Sequence, residues 1–211
     1  MNKDKKGNIT FNVIFTAQVL NSSNKKIDTK KMAEQIKSQF EKIFNVKYGK
    51  DADGSAVTIN ATANVSVIDK KSDLASNATL YEIVDGTNDA FKIADPTKAI
   101  LASAQNGKEI LVNADYVDQM IDGKTNTKTL THEAGHTAGL QHPNTDKYYY
   151  FFGLFSSLGF TAGAPITNFM YQGRQATTTG PTKKQIYRMF QLYSKDALNK
   201  KEGVHPINAQ W

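Results

Sequence analysis

Thr129-Leu130-Thr131-His132-Glu133-Ala134-Gly135-His136-Thr137-Ala138-Gly139-Leu140-Gln141-His142-Pro143 decides how the rest of this chain is read. On a helix, His132 and His136 leave the same face one turn apart, so two imidazoles can grip one ion. Glu133 lies about a hundred degrees round from His132. Its carboxylate then sits beside such an ion instead of on it, where it can hold and deprotonate a water. A continuing helix would carry His142 away. Gly139 removes that difficulty, because glycine readily takes the left-handed conformation that ends a helix and turns the chain. Three neutral imidazoles leave a tetrahedral zinc ion one open position, the ligand count of a catalytic centre and not of a closed structural one. Three histidines, a glutamate and a glycine at these offsets arise by accident roughly once in a few hundred thousand chains of this length and composition.

Working outward, Leu130, Ala134 and Ala138 recur at steps of four on a second face of the predicted helix, small enough to let it pack closely on a sheet. Asn126 or Thr127 is the predicted cap. Upstream, Ile9, Phe11, Val13, Phe15, Ala17 and Val19 alternate with mostly polar residues, the period of a half-buried strand from Asn8 to Leu20. Asp28 or Thr29 can cap a helix whose stripe is Met32, Ile36, Phe40, Ile43 and Phe44. Val57 to Val67 alternates without a break, a second long strand. Leu80 to Val84 and Phe91 to Ala94 are shorter strand candidates bounded by Asp85-Gly86 and Asp95-Pro96. A closing amphipathic helix is predicted from Pro181 to about Leu198, with Ile186, Met189, Phe190 and Tyr193 as its apolar face and the proline in its first turn. This order predicts an α+β fold: a twisted mixed sheet with two packed helices, the histidine helix among them, and a small C-terminal lobe.

The 211 residues fit one domain, with lobes at about 8–142 and 143–211 meeting at a cleft. No run approaches the roughly 20 apolar residues of a membrane span. Cysteine is absent, which excludes disulfides and thiolate chemistry. The net charge of +6 is spread in short groups without the arginine and aromatic interleaving of a nucleic-acid surface, so nucleic acid is not an expected partner. Met1 to Gly7 has basic residues but no following apolar core, and does not read as a signal peptide. Asp51-Ala52-Asp53-Gly54 lacks the remaining ligands of a calcium loop and reads as a turn, so calcium has no support. His205 reads as a surface imidazole. The aromatic run Tyr148 to Phe155 reads either as a wall of a pocket or as the core of the small lobe.

His-Glu-x-x-His-x-x-Gly-x-x-His resembles the signature of the metzincin zinc endopeptidases, whose second half is a methionine-bearing turn downstream. Thr167-Asn168-Phe169-Met170-Tyr171 is similar to that turn, and the resemblance implies that Met170 is an apolar floor beneath the metal. Gly180 to Tyr193 is similar to the closing helix of matrixin-like members. Ile100-Leu101-Ala102-Ser103-Ala104, with the strand after it, looks like the family's antiparallel edge strand, along which substrate lies. Pro143 matches serralysins and Tyr171 matches matrixins, while Gln172 stands where serralysins and astacins carry a tyrosine, so the subfamily stays open.

The resemblance implies a zincin-like fold and one catalytic zinc held by His132, His136 and His142. It also implies a protein or peptide substrate, and Glu133 as general base in peptide hydrolysis. The alternative is a catalytically silent, zinc-containing module that grips extended peptides at its edge strand. A secreted protein, or a toxin domain of a larger secreted bacterial protein, is the expected setting; the sequence does not speak to oligomeric state.

Overall fold

A computed structural model describes residues 1–52, 54–92, 99–105, 107–123, 128–140, 142, 167–171 and 178–199. Its elements in chain order are β1 (Asn2–Lys3), β2 (Ile9–Asn21), α1 (Thr29–Phe44), β3 (Val46–Lys47), β4 (Val57–Val67) and β5 (Thr79–Val84), then β6 (Ala102–Ala104), β7 (Glu109–Asn113), α2 (Val117–Ile121), α3 (Thr129–Thr137) and α4 (Lys183–Ser194). The fold is α+β, built on a mixed seven-stranded sheet in the order β3-β4-β2-β5-β7-β6, with β1 added against β2. The alternation in β2 and β4 becomes a parallel pair in register from Ile9 opposite Val57 to Val19 opposite Val67. β5 and β7 extend the parallel sheet, and β6 turns back antiparallel on β7.

Alternation has a direct consequence for packing. Phe11, Ala17, Val19, Val57, Ile59 and Ala63 are buried on one face, and the α1 stripe Met32, Ile36, Phe40, Ile43 and Phe44 covers them. Asp28 caps α1 by accepting the Lys31 N–H at 3.0 Å. At the other end Asn45 closes the helix and blunts the β4 edge. Its amide accepts the Ala61 N–H at 2.9 Å and donates to the Ala61 carbonyl at 3.0 Å, as a neighbouring strand would. Glu41, one turn back, accepts the Ala63 N–H at 3.0 Å.

The histidine helix α3 spans two hydrophobic clusters. Leu130 belongs to the one around Val19, Met32, Tyr81 and Ile110, whereas Ala134 and Ala138 belong to the one around Phe11, Phe44, Phe169 and Ile186. The buried Tyr81 hydroxyl donates to the Leu130 carbonyl at 2.7 Å, pinning the first turn to the sheet. Position and tilt of α3 are thus set by the core.

Three expectations are corrected. Asp89–Phe91 is a 3₁₀ turn, not the start of a strand: the Asn88 side chain accepts the Ala90 N–H and favours a turn over extension. Residues 93 and 94 lie outside the described residues. The closing helix begins at Lys183, capped by Thr182 in a reciprocal capping box with Gln185, so Pro181 precedes the helix. Tyr193 is 70% exposed and is not part of the α4 apolar face. The predicted α3 cap residues Asn126 and Thr127 fall outside the described residues, as do the run Tyr148 to Phe155, Gln172 and His205. Among the described residues no helix is long and apolar enough to cross a membrane.

Candidate metal centre

Helix α3 ends in a Schellman turn. Gly139 takes φ +78°, its N–H donates to the His136 carbonyl at 2.9 Å, and the Leu140 N–H donates to the Gly135 carbonyl at 2.9 Å. The reversal folds the chain back under the helix end and brings His142 to the two helical histidines. Nε2 of His132 lies 3.2 Å from Nε2 of His136 and 2.9 Å from Nε2 of His142, and the last two are 3.0 Å apart. Among the described residues these histidines are the one group of three or more His, Asp or Glu side chains arranged to hold a metal ion.

Backbone carbonyls set the orientation of two of the rings. His132 Nδ1 donates to the Phe169 carbonyl at 2.8 Å, and His136 Nδ1 donates to the Leu140 carbonyl at 2.8 Å. A carbonyl only accepts, so each neutral ring carries its proton on Nδ1 and presents a lone pair at Nε2. Two such lone pairs 3.2 Å apart repel, and His142 can offer a proton to only one of them. A cation satisfies all three. Nitrogens about 2.0–2.1 Å from a tetrahedral zinc stand about 3.3 Å apart, close to the observed spacing. The donor set therefore fits zinc.

Glu133 is 7% exposed, and its Oε2 accepts the Ala104 N–H from β6 at 2.8 Å. The edge strand and the carboxylate are thus in direct contact, as the sequence could not show. On either side of β6, the Leu101 carbonyl accepts the Asn113 N–H at 2.9 Å and the Gln105 N–H donates to the Glu109 carbonyl at 2.8 Å, so Ala102 and Ala104 turn their backbone groups away from β7, the Ala104 N–H toward Glu133 of α3. Ile100 and Leu101 precede the strand, and the Ile100 carbonyl accepts from Asn113 Nδ2 at 3.1 Å. Of the five residues Ile100 to Ala104, only Ala102 and Ala104 therefore turn in-strand backbone groups away from β7.

Met170 is fully buried against α3. Gly135 makes the room: a Cβ there would overlap Met170 Sδ and come within 2.9 Å of Phe169 Cε2. Sequence reading missed this role of Gly135, though a glycine between the two helical histidines, where alanine is the better helix former, was a signal. Lys128, one turn before His132, donates to the Tyr171 carbonyl at 2.6 Å, so the Met170 turn is held by α3 at two further points besides the packing.

Two buried groups have opposed titrations. Burial, helped by neighbouring His136, holds His132 down at about 3. Burial pushes Glu133 up to about 8, against the Ala104 N–H, which favours the carboxylate. In metal-free protein Glu133 keeps a proton that the unfolded chain has lost above its ordinary 4.5, so this group costs stability as pH rises toward 8. His132 does the opposite: the unfolded chain holds a proton below 6.5 that the folded protein refuses, so stability is lost as pH falls toward 3. Each slope is about 1.4 kcal/mol per pH unit, and between the two ordinary values they cancel. Thermal unfolding in chelator is expected to show a plateau between about pH 4.5 and 6.5 with a fall on both sides. Glu133→Gln is expected to remove the alkaline fall and, with nothing left to cancel the His132 slope, to turn the plateau into a rise up to about pH 6.5; a parent profile rising from pH 6.5 to 8 contradicts the assignment.

Gly139→Ala supplies a further test. A non-glycine residue in the left-handed region costs about 1–2 kcal/mol, and relief of that strain displaces His142. The variant is expected to lose at least about tenfold in zinc affinity, the price of disturbing a ligand's support, measured by competition with a chromophoric chelator.

No protein-family model matches the chain, and no curated protein matches it. Solved structures similar to it include the following two. One is an archaemetzincin from Methanopyrus kandleri, 9% identical with a TM-score of 0.44, covering 85% of this chain and 96% of that one. The other is mature mirolysin of Tannerella forsythia in complex with a cleaved peptide, 15% identical with a TM-score of 0.44, covering 91% of this chain and 94% of that one.

Proposed function

We propose that the chain is a zinc-dependent endopeptidase of the metzincin type. The observation that carries this reading is the convergence of three Nε2 atoms at a helix whose buried Glu133 carboxylate is itself held by the edge strand. His132, His136 and His142 would hold the ion. Bound zinc supplies a Lewis acid and brings the pKa of water down to about 7. Beside a bound cation, Glu133 would return toward its ionised form, against the effect of burial.

Glu133 is the proton carrier. It takes a proton from water as the water oxygen adds to the scissile carbonyl carbon, and returns that proton to the amine nitrogen as the C–N bond breaks. The Ala104 N–H holds the carboxylate in place for both transfers. An extended peptide would lie antiparallel along β6, bonded to the outward backbone groups of Ala102 and to the Ala104 carbonyl. Met170 would serve as the apolar floor of the site.

Digestion of a diverse peptide mixture, with and without chelator, tests the proposal. Cleavage that stops in chelator and returns with zinc is the expected result. Binding of peptides without cleavage by zinc-loaded protein would overturn it in favour of a catalytically silent peptide-binding module.

A further inference from the structure

The turn carrying Met170 is joined to α4 by two amide side chains that the motif does not include. Asn168 and Gln185 are both fully buried. They face each other as a cyclic pair, Asn168 Nδ2 donating to Gln185 Oε1 at 3.0 Å and Gln185 Nε2 donating to Asn168 Oδ1 at 3.1 Å. Asn168 Nδ2 also donates to the Gly180 carbonyl at 2.9 Å, and Gln185 Oε1 accepts the Thr182 N–H at 2.7 Å. Asn168 Oδ1 takes one more bond, from the Met170 N–H at 3.1 Å.

That last bond reaches the metal centre. The Met170 N–H and the Phe169 carbonyl belong to one planar peptide unit, and they point in opposite directions. Holding the N–H on one side therefore aims the carbonyl on the other, and this carbonyl accepts the His132 Nδ1 proton. Gln185 in turn keeps the Asn168 amide from rotating, because both of its side-chain polar atoms are bonded to it. We infer that Asn168 and Gln185 are positioning residues for the metal centre: through the Phe169–Met170 peptide plane they fix the ring orientation and tautomer of His132. The inference rests on the reading of the three histidines as a zinc site. Its physical content is that α4, far along the chain from the motif, sets how well one ligand meets the ion. Partners of this outer kind typically contribute about 10- to 100-fold in metal affinity.

The test uses the full chain with zinc as the probe. Zinc affinity is measured by competition with a chromophoric chelator, and ligand geometry by the visible absorption of cobalt-substituted protein. Asn168→Ala and Gln185→Leu are compared with Thr182→Ala, which loses the cap bond to the Gln185 N–H and weakens α4 without touching the peptide plane. Asn168→Ala and Gln185→Leu are expected to lower zinc affinity by about 10- to 100-fold and to shift the cobalt spectrum, while Thr182→Ala lowers Tm but stays within about threefold of the parent in affinity. Should Asn168→Ala fail to fold, Gln185→Leu decides, because it keeps the Asn168 side chain and, of that side chain's bonds, removes only the two that stop its amide from rotating. Parental affinity and spectrum in a folded Asn168→Ala or Gln185→Leu overturns the inference, as does an equal affinity loss in Thr182→Ala at the same Tm. A parent chain that takes up no zinc overturns the metal centre itself, a result distinct from either.

Discussion

Glu133→Gln is expected to keep its zinc and lose about 10²- to 10⁴-fold in peptide cleavage, the range that a positioned general acid or base contributes. Glutamine has nearly the same shape and still offers an oxygen to the Ala104 N–H, so α3 and β6 stay joined. What it cannot do is accept a proton from water and hand it on. The comparison is turnover of one fluorogenic peptide by parent and variant at equal zinc content. A variant cleaving as fast as the parent would remove Glu133 from the reaction while leaving the histidines untouched.

Removing the metal is expected to have the largest effect on stability. Three imidazoles brought within 3.2 Å of one another are a repulsive arrangement that only a shared cation repays. A ligand present at about a thousand times its Kd stabilises the folded state by about 4.1 kcal/mol. In a chain of this size each kcal/mol moves Tm by about 2–4 °C, so chelation is expected to lower Tm by roughly 10 °C. In His132→Ala the chelator should change little, because the site has already lost the ligand packed deepest against the core. Calorimetry with and without zinc checks both. A Tm indifferent to chelator in the parent contradicts a centre built into the fold.

Much of this arrangement was legible in the chain. The alternation of Ile9 to Val19 and of Val57 to Val67 gave the two long strands, because a face packed on α1 must be apolar at every second residue. The spacing of His132, His136 and His142 with Gly139 gave the three-histidine cluster, since its side chains and its turn are all local in sequence. Contacts made by backbone atoms from remote elements left no such trace. The Ala104 N–H on Glu133 and the Phe169 carbonyl on His132 depend on where strands and turns meet, and any residue type can supply a backbone group. Asn168 and Gln185 read as ordinary polar residues until their mutual burial is seen. The capping box at α4 was readable, as Thr182-Lys183-Lys184-Gln185 carries its pattern, but Pro181 drew the helix start forward. Phe91 read as a strand residue because an apolar residue before a turn signal fits a strand as well as a 3₁₀ turn.

The most direct test of the central claim is X-ray absorption at the zinc edge on the full chain. Three imidazole nitrogens at about 2.0–2.1 Å plus one water oxygen are expected in the parent, with two imidazoles left in His142→Ala and an unchanged spectrum in Glu133→Gln. A parent spectrum with two imidazoles, or with a carboxylate from Glu133 in the coordination shell, would contradict the account.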